Sequence, residues 1–301
     1  RMPRDRFVSV FDYVRDEDVT AYSMEVLDGP WMTLDRYYET IIGPRFAKGS
    51  YLSALREVMF IGMDLMRALR PLHGAKFGKR DRWCHADIKP LNVHINSRNA
   101  KFGVVQKWGS NSQPVLKIGD LGLAKQSGET QQCGTPGFMA PEQENCGKVS
   151  PFTDIFSAGQ TIASLVFGDP FIEELKHIGR LRSKLREQIP SAHIVEQMAD
   201  LLRKMTLRTP ALRPDAETVE KTLQQLIRSE DEWLVLDTFS RKENQGLVLA
   251  DAADKLFAEM AASRGWKKRS NERLTELKSI IKAAQKRGLL SLEGKRYSLR
   301  G

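Results

Sequence analysis

The string His85-Ala86-Asp87-Ile88-Lys89-Pro90-Leu91-Asn92 sets a carboxylate, an ammonium and a carboxamide within six positions. A carboxylate so placed can take a proton from an attacking hydroxyl, an ammonium beside it can neutralise an anionic group in transit, and an amide oxygen can bind a hard cation. A second carboxylate, Asp120 of Asp120-Leu121-Gly122, follows after 27 intervening residues. Gly134-Thr135-Pro136-Gly137 and Ala140-Pro141-Glu142 come next, so a hydroxyl and a third acid close the same stretch.

These strings resemble, in order, the catalytic loop, the metal-binding triplet and the end of the activation segment of eukaryotic-type (Hanks-type) Ser/Thr protein kinases. Any one of them is a weak signal; three in family order at family-like distances are strong. The resemblance implies ATP and Mg2+ as cofactors and transfer of the γ-phosphate to a Ser or Thr of a protein substrate. It casts Asp87 as the base, Lys89 as the cation at the γ-phosphate, Asn92 and Asp120 as magnesium ligands, and Thr135 as the hydroxyl that bonds Asp87 and Lys89. Lys89 followed by Pro90 is the Ser/Thr pattern rather than the tyrosine one. Three positions depart from the common form. Ala86 replaces an Arg that receives an activation-segment phosphate in many kinases, which puts that route in doubt despite the acceptors Ser127 and Thr130. Leu121 replaces a Phe, and His94 stands where an apolar residue underlies the adenine, either stacking through its ring or serving as a plain structural His.

The elements that must position these groups can be read from pattern. Residues 7–15 and 20–27 are β-rich runs around Asp16-Glu17-Asp18 and predict a hairpin. The second ends in Met24-Glu25-Val26-Leu27, which resembles the hinge, with Glu25 C=O and Leu27 N–H facing the adenine edge and Met24 behind them. From Tyr51 to His73, apolar residues recur near the helical period and predict a buried helix leading into the loop through a basic connector at 74–82. Val115-Leu116-Lys117-Ile118 predicts a short strand carrying Asp120. The 27-residue spacing is about twice the family's; the excess reads as an exposed loop or hairpin whose Trp108 either meets a partner or has no role. The resemblance further pairs Glu142 with Arg213 and places the Asp154 carboxylate on backbone N–H groups near His85.

Upstream of the hinge there is no Gly before Gly29 and no Lys before Lys48, so the family's glycine-rich loop and strand lysine are missing. Three readings follow: the natural protein extends upstream, another chain completes the lobe, or the chain is a catalytically crippled relative. At 301 residues with 41% hydrophobic content, two domains with a sizeable core fit better than one. No run reaches the roughly 18 apolar residues of a membrane span, and the charged start RMPRDRF has no signal-peptide core. Three cysteines without metal-type spacing suit a reducing compartment, so the expectation is a cytoplasmic protein with no membrane contact.

The net charge of +9 is uneven. From Arg241 to the end there are 15 Lys/Arg against 7 Asp/Glu, leaving 32 against 31 before it. In that basic region 249–262 and 273–287 read as helices and 289–299 as two strands joined at Gly294, which resembles a winged-helix domain. Lys278, Lys282, Lys286, Lys295 and Arg296 would then contact phosphate; the partner is either nucleic acid or protein. The expected architecture is α+β: a remnant of the kinase N-lobe and hinge at 1–28, a helical C-lobe at 29–230, a linker at 231–245 and a winged-helix-like basic domain at 246–301. The alternative to an enzyme is a non-catalytic pseudokinase scaffold or nucleic-acid-binding regulatory protein.

Overall fold

The computed structural model describes residues 6–15, 20–48, 51–74, 76–77, 80–98, 115–130, 133–168, 177–188, 192–227, 246–264 and 271–299, with single residues at 175, 232, 235, 238, 239 and 244. The expected hairpin is formed by β1 (Val10–Arg15) and β2 (Thr20–Met24), antiparallel with Tyr13 opposite Tyr22. Its acidic turn lies outside the described residues. The first run does not stay in the hairpin from its start. Phe7 and Val8 are buried, and Phe7 bridges Ile118 in parallel, with Val8 N–H donating to Ile118 O at 2.9 Å. An apolar pair at that point gains more by covering the lobe core than by extending an exposed ribbon.

β3 (Trp31–Thr33) leads into a short helix α1 (Leu34–Tyr37), a π-turn at Tyr38–Ile42 and α2 (Gly43–Ala47). The long helix α3 spans Tyr51–His73, as its periodicity predicts. Leu55, Met59, Met66, Leu69 and Leu72 are all fully buried. Its two buried carboxylates are paired: Glu57 with the Tyr37 hydroxyl and Arg45, and Asp64 with Arg67 at 3.3 Å and Arg6 at 3.6 Å. Burying carboxylates without such partners would cost several kcal/mol, on the order of the ion-pair penalties known for interiors.

The basic connector holds a two-residue ladder, β4 (Lys76–Phe77) with β5 (Arg80–Asp81), before β6 (Trp83–Cys84). β7 (Val93–Asn96) and β8 (Leu116–Ile118) pair antiparallel with β3 on the far side of β7. Val93 faces Ile118, so Asn92 and Gly119 lie side by side and Gly119 N–H donates to Asn92 O at 2.8 Å. The 99–114 stretch, Trp108 included, is outside the described residues. β9 (Lys125–Gln126) pairs with β6.

Helices complete the lobe: α4 (Pro141–Glu144), α5 (Pro151–Phe167), α6 (Ile178–Gln188), α7 (Ala192–Met205) and α8 (Ala216–Leu226). α5 is buried on every face from Thr153 to Val166, its polar residues included. It starts at Pro151, where a missing N–H is harmless, and stops at Gly168, whose φ of 73° most side chains disfavour. Gly159 allows α7 to approach, since a Cβ there would sit 3.0 Å from Met205 Cβ and Thr206 Cγ2.

At the C-terminal end β10 (Leu247–Val248) precedes α9 (Leu249–Arg264) and α10 (Asn271–Lys286), followed by β11 (Leu290–Glu293) and β12 (Arg296–Leu299). The sheet order is β10-β12-β11. Leu277, Ile281 and Ala284 of α10 are buried, while Lys282 and Lys286 are exposed. Within 231–245, which composition alone reads as a linker, Val235 and Phe239 are buried and Glu232 pairs with Arg287. Their four-residue spacing puts both on one helical face.

Candidate active site

The loop between β6 and β7 is held by backbone, and one acid does most of the holding. Asp154 on α5 accepts His85 N–H at 2.8 Å and Ala86 N–H at 2.8 Å, and it bonds His73 Nε2 at 2.9 Å. The sequence reading placed Asp154 there. Ala86 adopts φ 64°, a left-handed conformation that a non-glycine residue enters only when its surroundings enforce it. The two amides on Asp154 supply that enforcement. Asp87 N–H donates to His85 Nδ1 at 3.3 Å, which leaves the ring proton on Nε2 to donate to Gly119 O at 2.8 Å. The loop is thereby tied to the residue just before Asp120.

Four of the expected site residues converge. Asp87 Oδ1 accepts the Thr135 hydroxyl at 2.9 Å, and Oδ2 accepts Lys89 Nζ at 2.8 Å and Asn92 Nδ2 at 2.9 Å. Lys89 Nζ also donates to Thr135 Oγ1 at 2.7 Å, and Asn92 Nδ2 to Asp87 O at 2.9 Å. Asp87 and Asn92 are buried and Lys89 is half-buried, so these contacts act where water screens them little. The network fixes the rotamer of Asp87 and leaves the Asn92 carboxamide oxygen pointing away from its own donors.

Asp120 is exposed, with φ 56° and ψ 72°, and its Oδ1 accepts Gly122 N–H at 3.2 Å. Its neighbour Gly119 is tied to the Asp87 loop on both sides, its N–H donating to Asn92 O and its carbonyl accepting from His85 Nε2, each at 2.8 Å. No group of three or more His, Cys, Asp or Glu among the described residues is arranged to hold a metal unaided. A carboxylate such as Asp120 and an amide oxygen such as that of Asn92 are hard donors of the kind that suits magnesium completed by phosphate and water.

At the stretch expected to be the hinge, Glu25 N–H donates to Ser9 O at 2.7 Å, and the Glu25 carboxylate accepts Ser9 N–H at 3.1 Å and binds Lys117. Burial pushes that carboxyl up, but the Lys117 ammonium and the Ser9 amide outweigh it and hold it below the usual value. Lys117 is 8% exposed and lies 5.6 Å from the Trp31 ring centroid. Leu27 is half-buried. His94 faces Gly119, whose Cβ would sit 3.1 Å from its Nε2, and desolvation drives its pKa down against the pull of Asp35, so the ring is neutral near pH 7.

The activation segment is anchored at its end. Arg213, its side chain fully buried, forms a two-pronged pair with Glu142, at 2.6 Å from Nη1 to Oε1 and 2.8 Å from Nη2 to Oε2. Gln143 was not anticipated from sequence. It is fully buried, and its Nε2 donates to Ala86 O at 2.8 Å and to Cys133 O at 3.0 Å. Beside Lys89 and Thr135 opens a cavity of about 330 Å³, walled by Tyr38, Leu91, Phe138 and Leu165.

The family described as Protein kinase domain matches residues 2–227. The chain is 36% identical over 137 residues to "Serine/threonine-protein kinase plk-1" of Caenorhabditis elegans, covering 43% of this chain and 20% of that protein. It is 30% identical over 173 residues to "Serine/threonine-protein kinase atg1" of Aspergillus oryzae, covering 48% and 18%, and 26% identical over 185 residues to "Serine/threonine-protein kinase pkn3" of Myxococcus xanthus, covering 56% and 31%. The chain thus spans about a fifth to a third of the length of these relatives.

Proposed function

This chain belongs to the protein kinase domain family, and on that premise we propose that it moves the γ-phosphate of ATP onto a Ser or Thr hydroxyl of a protein substrate. The observation that carries the proposal is the closed network in which Asp87 meets Lys89, Asn92 and Thr135 at 2.8–2.9 Å and Lys89 meets Thr135 at 2.7 Å. Asp87 orients the substrate hydroxyl and takes its proton, a role worth on the order of 10² to 10⁴ in rate. Lys89, already within reach of Asp87, offsets charge at the phosphoryl group in transit. Asp120 and Asn92 would hold the magnesium, and Thr135 keeps Asp87 and Lys89 in register. When bound, Mg2+ with ATP supplies the phosphoryl group and neutralises its oxygens. Glu25 C=O, Leu27 N–H and the neutral His94 ring would hold the adenine. The substrate chain enters along the cavity beside Lys89. Exchange of Asp87 for Asn in the full-length protein is the test: transfer to a protein Ser or Thr falls by about 10² or more with KM for ATP little changed, and parental transfer by that variant removes Asp87 from the role.

The C-terminal module supports a second function. We infer that it is a winged-helix-like unit that binds nucleic acid through Lys278, Lys282 and Lys286, which recur every four residues on α10, through Lys295 in the turn between β11 and β12, and through Arg296 at the start of β12. Binding by these cations falls steeply with salt, and charge reversal at Lys282 and Lys286 lowers the slope of log K against log salt by about 2. A slope near zero points instead to a protein partner. No helix among the described residues is long and apolar enough to cross a membrane, and Cys84, Cys133 and Cys146 form no disulfide. We propose a cytoplasmic location, where the three free thiols would stay reduced.

A further inference from the structure

The Asp87–Thr135 contact joins a loop to a segment 48 residues away, and side chains alone do not explain why the two backbones stay in register. The backbone that precedes each partner is tied to the same carboxamide. Gln143 Nε2 donates to the carbonyl of Ala86, adjacent to Asp87, and to that of Cys133, two residues before Thr135. Its Oε1 accepts Ala140 N–H at 3.1 Å, so both N–H donors and the oxygen of this fully buried side chain are used. Gly134 lets the chain pass close by, since a Cβ there would fall 2.5 Å from Met139 Cγ.

We propose that Gln143 is a positioning residue, a neutral clasp that holds the activation segment on the catalytic loop and makes the site's assembly independent of phosphorylation. The inference rests on phosphoryl transfer at Asp87 and names how that site is regulated. Ala86 ends at Cβ and offers the segment only its backbone, and Gln143 uses that carbonyl. A carboxamide has no charge to gain or lose and accepts no phosphate, so nothing in the clasp responds to a signal. Breaking it frees Thr135 to drift from Asp87, and a shift of about 1 Å at a reacting group costs on the order of 10²-fold in rate.

The test uses the full-length protein with Gln143→Leu, which keeps bulk and loses all three bonds, and Gln143→Glu, which keeps the acceptor and loses the donors. In Gln143→Leu the clasp requires kcat to fall by about 10-fold or more with KM for ATP within about two-fold. Hydrogen exchange should quicken in residues 85–89 and 133–140 while α7 keeps its protection. For Gln143→Glu, activity relative to the parent should rise as pH is lowered from about 8 to about 6, because a protonated carboxyl regains one O–H donor. Phosphatase treatment should leave the parent's rate unchanged. Parental kcat and parental exchange in Gln143→Leu would overturn the clasp, as would a parent that loses its activity to phosphatase. A parent that transfers no phosphate sinks the kinase reading, and the exchange measurement still decides the clasp.

Discussion

Replacing Glu142 by Ala removes one half of the pair that fastens the activation segment to the helical lobe. Arg213 would then sit with a fully buried side chain and no counter-charge. Its remaining contacts offset part of the loss: Nε to Leu207 O at 2.7 Å, Nη1 to Phe152 O at 2.9 Å, and the Phe156 ring at 5.0 Å. Breaking a buried pair costs about 3–5 kcal/mol, and these carbonyls place the cost at the lower end, about 3 kcal/mol. For a lobe of this size about 3 kcal/mol corresponds to about 6–12 °C in Tm. Thr153 Oγ1, which donates to Glu142 Oε1 at 2.9 Å, also loses its acceptor. Urea melts at constant ionic strength read the loss as a shift of midpoint at unchanged slope. The double variant Glu142→Leu with Arg213→Met tests the cause, since removing both charges should recover most of what the single change loses. A loss below about 1 kcal/mol for Glu142→Ala, or a double variant no more stable than the single, would refute the argument.

Asp154→Ala strands two amides and His73, so transfer falls with stability, and hydrogen exchange at His85 and Ala86 rises while α10 is unaffected. Thr135→Ala lowers kcat by roughly 10-fold, Thr135→Ser restores it, and a peptide-phosphorylation assay separates the two. Burial pushes the Glu57 carboxyl up to about 7 against the pull of Arg45 and Tyr37. The folded chain therefore holds a proton there between its ordinary value of 4.5 and about 7, so stability falls as pH rises through that window and is level above it. Urea midpoints between these limits check the slope, and Glu57→Gln should flatten it.

What the sequence made legible is what lies close together in it. Asp87, Lys89 and Asn92 share one turn, and α3 declares itself through 23 residues of helical period. Asp154 and Arg213 were readable only because the family resemblance supplied distant partners for a lone acid and a lone base. Gln143 was not, because its partners are carbonyls 57 and 10 positions away, and backbone acceptors leave no mark in side-chain pattern. The departure of Phe7 from β1 was hidden for a related reason: a strand-forming apolar residue suits either a ribbon or the Ile118 strand, and only tertiary packing decides. β10, two residues long, is too short to register as a period, and its partner β12 lies about 50 residues on.

The account stands on Asp87 as the residue that activates a protein hydroxyl. Its most direct test is γ-phosphate transfer from radiolabelled ATP to protein Ser or Thr by the full-length protein, with Asp87→Asn beside it under the same magnesium. The account requires labelled phosphoserine or phosphothreonine from the parent and a drop of about 10² or more in the variant. Equal labelling by the two would contradict it.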